Sequence, residues 1–170
     1  HPDDPPWPIY GLPRIMTGKE LVEKAFRLES VERIPWVPFV GVHGGFLTGT
    51  DATTYLKSSQ EIVNGVSKAI EEYEPDGIPV LFDLQVEAEV LGCELKWSET
   101  GPPAVVSHPL AENAELKDLK DITEKDGRIP VILEATKTLR QKYPEVALYG
   151  LITGPFTLAL HLMGTDIFMK

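Results

Sequence analysis

Asp83 is the first of three side chains whose type and position in the chain could do chemistry. It ends a short apolar run, Ile-Pro-Val-Leu-Phe-Asp, at residues 78–83. A run without polar alternation is typical of a strand buried on both faces. An acid at the carboxyl end of such a strand lies where α/β proteins place their sites. The carboxylate could bind a ligand there, or it could cap the helix that follows.

Two histidines are the other candidates. His43 lies in Gly-Val-His-Gly-Gly at residues 41–45, which we predict to be a flexible turn that brings backbone, including that of Gly44, close to a ligand. Its imidazole could bind a ligand or exchange protons, or it could be a solvated loop side chain. His161 lies two turns into a predicted helix and could serve a site or the packing.

The elements that must position these residues follow from the hydrophobic pattern. Buried strands are predicted at residues 35–40, 78–83 and 146–152. Helices are predicted at residues 17–29, 51–73, 84–92 and 128–142 and from residue 155 onward. Capping boxes at Thr17/Glu20 and Ser58/Glu61 support two of these helices. Outside this alternation we predict a hairpin at residues 93–97 and 104–107 and a helical turn at residues 116–122.

Strands that alternate with helices indicate βαβ units and a parallel sheet, whose carboxyl ends share one rim. If the sheet belongs to a barrel, residues on that rim converge, and we expect His161 to reach toward them. The expected rim residues are His43, Gly44, Asp83, Gln85, Thr153 and Gly154. A (β/α)8 barrel needs about 250 residues. Three strands are less than half of one, so we expect missing sequence or a completing partner, including a second copy.

Composition narrows the function classes. A formal net charge of −10 argues against nucleic acid or an anionic membrane as a partner. One cysteine in the sequence excludes an internal disulfide and suits a cytoplasmic protein. No apolar run approaches the roughly 20 residues that span a bilayer. Residues 1–15 are rich in proline, which predicts an extended N-terminal arm before a single domain at residues 16–170.

Several polar residues have plain structural interpretations. Cys93 is expected to be a small buried hydrophobe rather than a metal ligand. Glu87 could line the mouth beside Gln85, but the surface of a helix is its more natural place. The carboxylates that precede the central strand are interpreted as a solvated helix end, comprising Glu71, Glu72, Glu74 and Asp76.

Four motifs occur in an order that resembles the N-terminal half of the uroporphyrinogen decarboxylase superfamily. They are Arg-Ile-Pro-Trp-Val-Pro at 33–38, Leu-Phe-Asp at 81–83, Leu-Gly-Cys-Glu at 91–94 and Gly-Pro-Phe-Thr-Leu at 154–158. The resemblance implies an α/β fold, the N-terminal portion of a (β/α)8 barrel with parallel strands and flanking helices. It also implies that Asp83 matches the site aspartate of the family, which in the decarboxylases would bind pyrrole N–H groups.

The branch of the superfamily is indicated by two departures from the decarboxylase pattern. Residues 41–48 contain no Arg or Lys, where decarboxylases carry an arginine-bearing segment for the carboxylates of their substrate. His161 occupies the position of a decarboxylase tyrosine. Both departures favour the cobalamin-dependent methyltransferases. We therefore expect Asp83 and His161 to be catalytic, and His43, Gly44, Gln85, Thr153 and Gly154 to bind substrate.

The methyltransferase resemblance implies partners that this chain does not supply. Methylcobamide would be carried by a small corrinoid protein, and the substrate would be a thiol, a folate or a methylated small molecule. The resemblance also makes zinc possible, with ligands in the other half of the barrel and none assigned here. Two alternatives remain open, namely a uroporphyrinogen decarboxylase and a non-catalytic half-barrel that serves as a binding or assembly module.

Overall fold

The structure, a computed structural model, describes residues 16–112 and 115–165. These residues form helices and short strands. The helices are α1 (Gly18–Phe26), α2 (His43–Leu47), α3 (Ala52–Lys57), α4 (Ser59–Tyr73), α5 (Val86–Val90), α6 (Pro109–Glu112), α7 (Ile129–Lys142) and α8 (Pro155–Met163). The strands are β1 (Gly77–Pro79), β2 (Leu95–Lys96), β3 (Ala104–Val105) and β4 (Ala147–Tyr149), and a 3-10 turn covers Leu116–Asp118.

Strands β1 and β4 are parallel neighbours, with Ile78 opposite Leu148. The hydrogen bond from Val80 N to Tyr149 O continues the pairing by one residue. β1 is shorter than the run predicted for residues 78–83. The run is nevertheless buried as predicted at Ile78, Val80 and Leu81. The α/β class with a parallel sheet is confirmed.

The strand predicted at residues 35–40 does not form among the described residues. Pro35 and Pro38 each lack the N–H that a ladder needs, so the segment cannot pair regularly with β1. It is held at one point instead. Trp36 N donates to the Asp76 carboxylate over 2.8 Å, and Trp36 O accepts from Asp76 N over 2.9 Å. The described part of the chain therefore shows two parallel strands in place of the three predicted.

Local capping sets the helix boundaries. The predicted capping box of α1 is present, with Thr17 and Glu20 bonding each other's backbone N–H. The single helix predicted at residues 51–73 is divided into α3 and α4, because Ser58 leaves helical geometry and its hydroxyl accepts from Glu61 N. Only that half of the second box forms, since the Glu61 carboxylate accepts from the Thr50 hydroxyl instead.

The main core lies between the β1–β4 sheet and helices α4 and α7. These two helices also pack extensively against each other. A smaller cluster of Ala88, Cys93 and Leu162 joins α5, the hairpin β2–β3 and α8. Cys93 is buried, as predicted. The predicted hairpin is confirmed by the antiparallel pairing of Leu95 with Val105.

Asp76 corrects the expectation of a solvated acidic cluster. Its side chain has no exposed surface, and both carboxylate oxygens accept from the guanidinium of Arg33. Glu71, Glu72 and Glu74 are exposed as expected. The acidic run is therefore three surface carboxylates followed by one buried ion pair.

Two further predictions concern the N-terminal arm and the turn at residues 41–45. The proline-rich arm at residues 1–15 lies outside the described residues. The flexible turn predicted at residues 41–45 is replaced by the start of α2 at His43. None of the helices in the described ranges is long and apolar enough to cross a membrane.

Candidate functional site

Asp83 lies just beyond the carboxyl end of β1, and both of its carboxylate oxygens are engaged. Oδ2 accepts from Arg128 Nη1 over 2.6 Å, and Oδ1 accepts from Gln85 N over 2.9 Å. The side chain has no exposed surface. The bond to Gln85 N is a local turn contact before α5 and not a helix cap, since the N-cap of α5 is Gln85 and no side chain caps it. The charge of Asp83 is matched by an arginine 45 residues further along the chain.

Arg128 is the functional candidate that sequence reasoning missed. The residue is 6% exposed and precedes α7 as its N-cap. Its Nε donates to Glu89 Oε2 over 2.7 Å, and its Nη1 also lies 3.3 Å from the Leu56 carbonyl oxygen. The guanidinium carbon stands 4.9 Å from the centre of the Trp97 ring. One signal was available, because a cation at the start of a helix opposes the helix dipole and calls for an anionic partner nearby.

Glu87 and Thr153 connect α5 to the segment that follows β4. The Thr153 hydroxyl lies 2.7 Å from Glu87 Oε2 and 2.8 Å from the Leu84 carbonyl oxygen, so it can donate to either. Thr153 N donates to Glu87 Oε1 over 3.2 Å. Thr153 is buried and Glu87 is half-buried, so the interpretation of Glu87 as an open helix-surface residue is wrong.

His43 and Gln85 lie on one cavity of about 410 Å³, together with Asp83. Gln85 Oε1 is buried and has no hydrogen-bond partner among the described residues. His43 Nε2 lies 2.8 Å from the Tyr73 hydroxyl, with the two rings stacked at 6.0 Å. The structure therefore brings three of the predicted site residues to one cavity wall.

The remaining lining of this cavity is apolar. Among the described residues its walls contain no arginine or lysine; besides the three residues above they consist of Phe39, Val40, Gly41, Val42, Phe46, Phe82, Leu84 and Pro102. A second cavity, of about 540 Å³, opens between α5, α7 and the segment after β4 and is lined by Asp83, Glu87, Thr136 and Thr153 among mostly apolar side chains. Asp83 thus lies where two cavities meet.

Gly44 and Gly154 have different places from the cavity residues. Gly44 packs against α3 and α4, where a Cβ atom would lie 2.6 Å from the Tyr55 hydroxyl oxygen and 3.4 Å from the carbonyl carbon of Gly65. Gly154 is exposed and begins α8. Their assignment as substrate-binding residues stays a prediction.

His161 has a buried Nε2 without a hydrogen-bond partner in the described part of the chain. Burial lowers the pKa of this imidazole, His108 lowers it further, and the Asp83 charge raises it. The His161 carbonyl, near the end of α8, accepts from His108 Nδ1 over 2.7 Å and from Cys93 Sγ over 3.4 Å. These two side chains satisfy a carbonyl that the helix itself leaves open.

A metal centre does not fit the residues in hand. Across residues 16–112 and 115–165, no group of three or more His, Cys, Asp or Glu side chains is placed to hold a metal ion. Within these described ranges, the zinc that the family resemblance makes possible therefore has no ligand set.

Polar side chains at the carboxyl ends of parallel strands, with helices between those strands, define a site of the (β/α)-barrel class. The family description that matches this chain is uroporphyrinogen decarboxylase (URO-D), over residues 17–170. The chain belongs to this family, as its four motifs predicted.

Methyltransferases are among the relatives that the chain matches over long stretches. It is 30% identical to methylcobamide:CoM methyltransferase MtbA of Methanosarcina mazei over 155 residues, 87% of this chain and 45% of that protein. It is 40% identical to a methylated-thiol–coenzyme M methyltransferase of the same organism over 102 residues, 58% of this chain and 28% of that protein. A solved methyltransferase from Methanosarcina mazei superposes with a TM-score of 0.81 at 26% identity, covering 91% of this chain and 48% of that chain.

These comparisons confirm the fold class and the branch of the superfamily. The chain has the α/β fold of part of a TIM-type barrel and spans less than half of the length of these relatives. The decarboxylase alternative is not favoured by the relatives found.

Proposed function

We propose that this chain serves a corrinoid-dependent methyltransferase that moves a methyl group between methylcobamide, carried on a small corrinoid protein, and a thiol. Coenzyme M is the thiol in the names of the relatives. The single observation that carries the proposal is the cavity beside Asp83, with its apolar walls and no cation in its lining. A substrate with many carboxylates would need arginine or lysine there, whereas a corrinoid face and a small thiol would not.

When bound, the corrinoid would supply a transferable methyl group, which the thiol would accept as its thiolate after losing its proton. The residues of this chain act around that transfer. The apolar wall excludes water from the reacting atoms. Gln85 Oε1, buried and unpaired among the described residues, is placed to accept a hydrogen bond from the S–H group of the thiol before the thiol loses its proton.

The experiment uses methylcobalamin as the donor and 2-mercaptoethanesulfonate, which is coenzyme M, as the acceptor. The purified protein is expected to consume methylcobalamin, followed by its visible absorbance, and to form the methylated thiol, measured by mass spectrometry. A parallel reaction offers uroporphyrinogen and measures coproporphyrinogen. Product from uroporphyrinogen and none from methylcobalamin would replace this proposal with the decarboxylase.

A matched pair of variants links the activity to the cavity. Gln85→Ala removes the unpaired carbonyl and is expected to raise the KM for the thiol about threefold or more, since the hydrogen bond from the S–H group is lost. Gln60→Ala on α4, whose side chain is exposed, should leave KM within about twofold. Equal effects of the two variants would show that the cavity is not the thiol site.

A further inference from the structure

We propose that Arg128 is a positioning residue that fixes Asp83 and the segment after it at the mouth of the fold. The inference rests on the proposed function for its effect on catalysis. The planar guanidinium offers donors in fixed directions, so its partners are held in direction as well as in distance. Its contacts come from three separate parts of the chain, namely Leu56 O in α3, Asp83 after β1 and Glu89 in α5.

Arg128 positions one wall of the cavity beside Asp83. Arg128 holds Asp83 Oδ2, which leaves Oδ1 in place to accept from Gln85 N over 2.9 Å. Gln85 in turn lines the cavity beside Asp83 and His43. The position of Gln85 therefore depends on a side chain that does not itself line that cavity.

Arg128 is also connected, through α5, to the segment that follows the neighbouring strand β4. Glu89 is bonded to Arg128, and Glu87, two residues earlier in α5, is bonded to both the hydroxyl and the N–H of Thr153. Helix α5 is thus tied to Arg128 on one side and to the segment after β4 on the other. Through α5, Arg128 couples the carboxyl ends of both parallel strands.

Stability alone does not account for this arrangement. Apolar replacements of a buried ion pair are often as stable as the pair itself. A cation at the N-cap of α7 also opposes the helix dipole. We infer that the contacts of Arg128 with Asp83 and Glu89 instead fix the positions of the residues that face the cavity.

The chain offers a matched control in Arg33, which pairs with Asp76 at the opposite end of β1. Each aspartate also accepts from one backbone N–H, that of Gln85 for Asp83 and that of Trp36 for Asp76. The experiment compares Arg128→Gln and Arg128→Lys with Arg33→Gln in the intact protein. Two readouts are taken, namely amide hydrogen exchange at Gln85 and Trp36, and kcat and KM for methyl transfer from methylcobalamin to coenzyme M.

Arg128→Gln is expected to speed exchange at Gln85 about tenfold or more and to leave Trp36 within about twofold, with the reverse pattern in Arg33→Gln. A misplacement of about 1 Å can cost about 100-fold in rate. We therefore expect kcat per folded molecule to fall about 100-fold in Arg128→Gln and less than about threefold in Arg33→Gln. Arg128→Lys, which keeps the charge and loses the fork, should fall between them and covers the case in which the glutamine variant does not fold.

Two results would overturn the inference: unchanged exchange at Gln85 in both Arg128 variants, or equal loss of kcat in the Arg128 and Arg33 variants. The proposed function fails separately. If the wild-type protein transfers no methyl group while the exchange pattern is as expected, Arg128 positions the mouth of the fold and the assigned reaction is wrong.

Discussion

Asp76 and Asp83 stand at opposite ends of one buried strand, and each pairs its charge with one arginine. Asp76 directly precedes β1 and binds Arg33, and Asp83 follows the buried run after β1 and binds Arg128. Neither aspartate side chain has any exposed surface. The same chemistry therefore anchors the strand at both ends, but only the carboxyl-end pair adjoins the cavities.

Removal of the Asp76 charge tests the anchoring. Asp76→Asn leaves the buried Arg33 guanidinium without its anion, and breaking such a pair costs about 3–5 kcal/mol in the free energy of unfolding. Urea unfolding measures this loss. Glu72→Gln, an exposed carboxylate four residues earlier, is the control and should stay within about 0.5 kcal/mol of wild type. A loss below about 1 kcal/mol in Asp76→Asn would show that the pair is not needed for stability.

The contact between α2 and α4 gives a second prediction. A Cβ atom on Gly65 would lie 2.4 Å from the Gly44 carbonyl oxygen and 2.7 Å from the Tyr55 ring. Gly65→Ala forces the two helices apart and is expected to lower the free energy of unfolding by about 1–3 kcal/mol, although alanine favours an isolated helix.

The control for this substitution is Gly101→Ala, since nothing lies within 4 Å of a Cβ atom there. Thermal unfolding of the two variants should show a lower midpoint for Gly65→Ala alone. Equal midpoints would mean that α2 can move away from α4 without cost. His43 begins α2, so the same variant should also displace that side chain from the cavity wall.

The features predicted correctly from sequence depend on short stretches of chain. Thr17 and Glu20 are three residues apart, and their reciprocal bonds mark the start of α1 wherever the helix packs. Ser58 shows the limit of this reasoning. The sequence predicts a cap at Ser58 and also one helix that runs through it. In the structure the cap begins a new helix, so residues 51–73 are divided into α3 and α4.

The features that were missed depend on contacts between distant parts of the chain. Arg128 meets Asp83 across 45 residues and Arg33 meets Asp76 across 43, and no local pattern specifies either pairing. The strand predicted at residues 35–40 is wrong because Pro35 and Pro38 lack the N–H donors that a ladder needs, although the run between them is apolar. The rim position of Asp83 was predictable, but its partner was not.

Cys93 provides a prediction about reactivity. Burial raises the pKa of its thiol to about 11, so the residue stays protonated at neutral pH, and the thiolate is the reactive form. At pH 8 the folded protein is expected to react with iodoacetamide at least about tenfold more slowly than the same protein in urea, as measured by mass spectrometry. Equal rates in both conditions would indicate an accessible thiolate and would revive a ligand or nucleophile role for Cys93.

His161 provides a pH-dependent prediction whose sign follows from its surroundings. Burial and His108 lower the imidazole pKa below its ordinary value of 6.5, so below pH 6.5 the unfolded chain takes up a proton that the folded chain resists. The contribution of His161 to stability is therefore complete above pH 6.5 and is lost as the pH falls through the lowered pKa. Between pH 7.5 and 5.5 the wild-type protein should lose more free energy of unfolding than His161→Gln.

NMR titration measures the pKa of His161 directly. Because the Asp83 charge raises this pKa, Asp83→Asn should lower it further. A His161 pKa at or above 6.5 would contradict the burial of the imidazole. A rise of this pKa in Asp83→Asn would contradict its proximity to the aspartate.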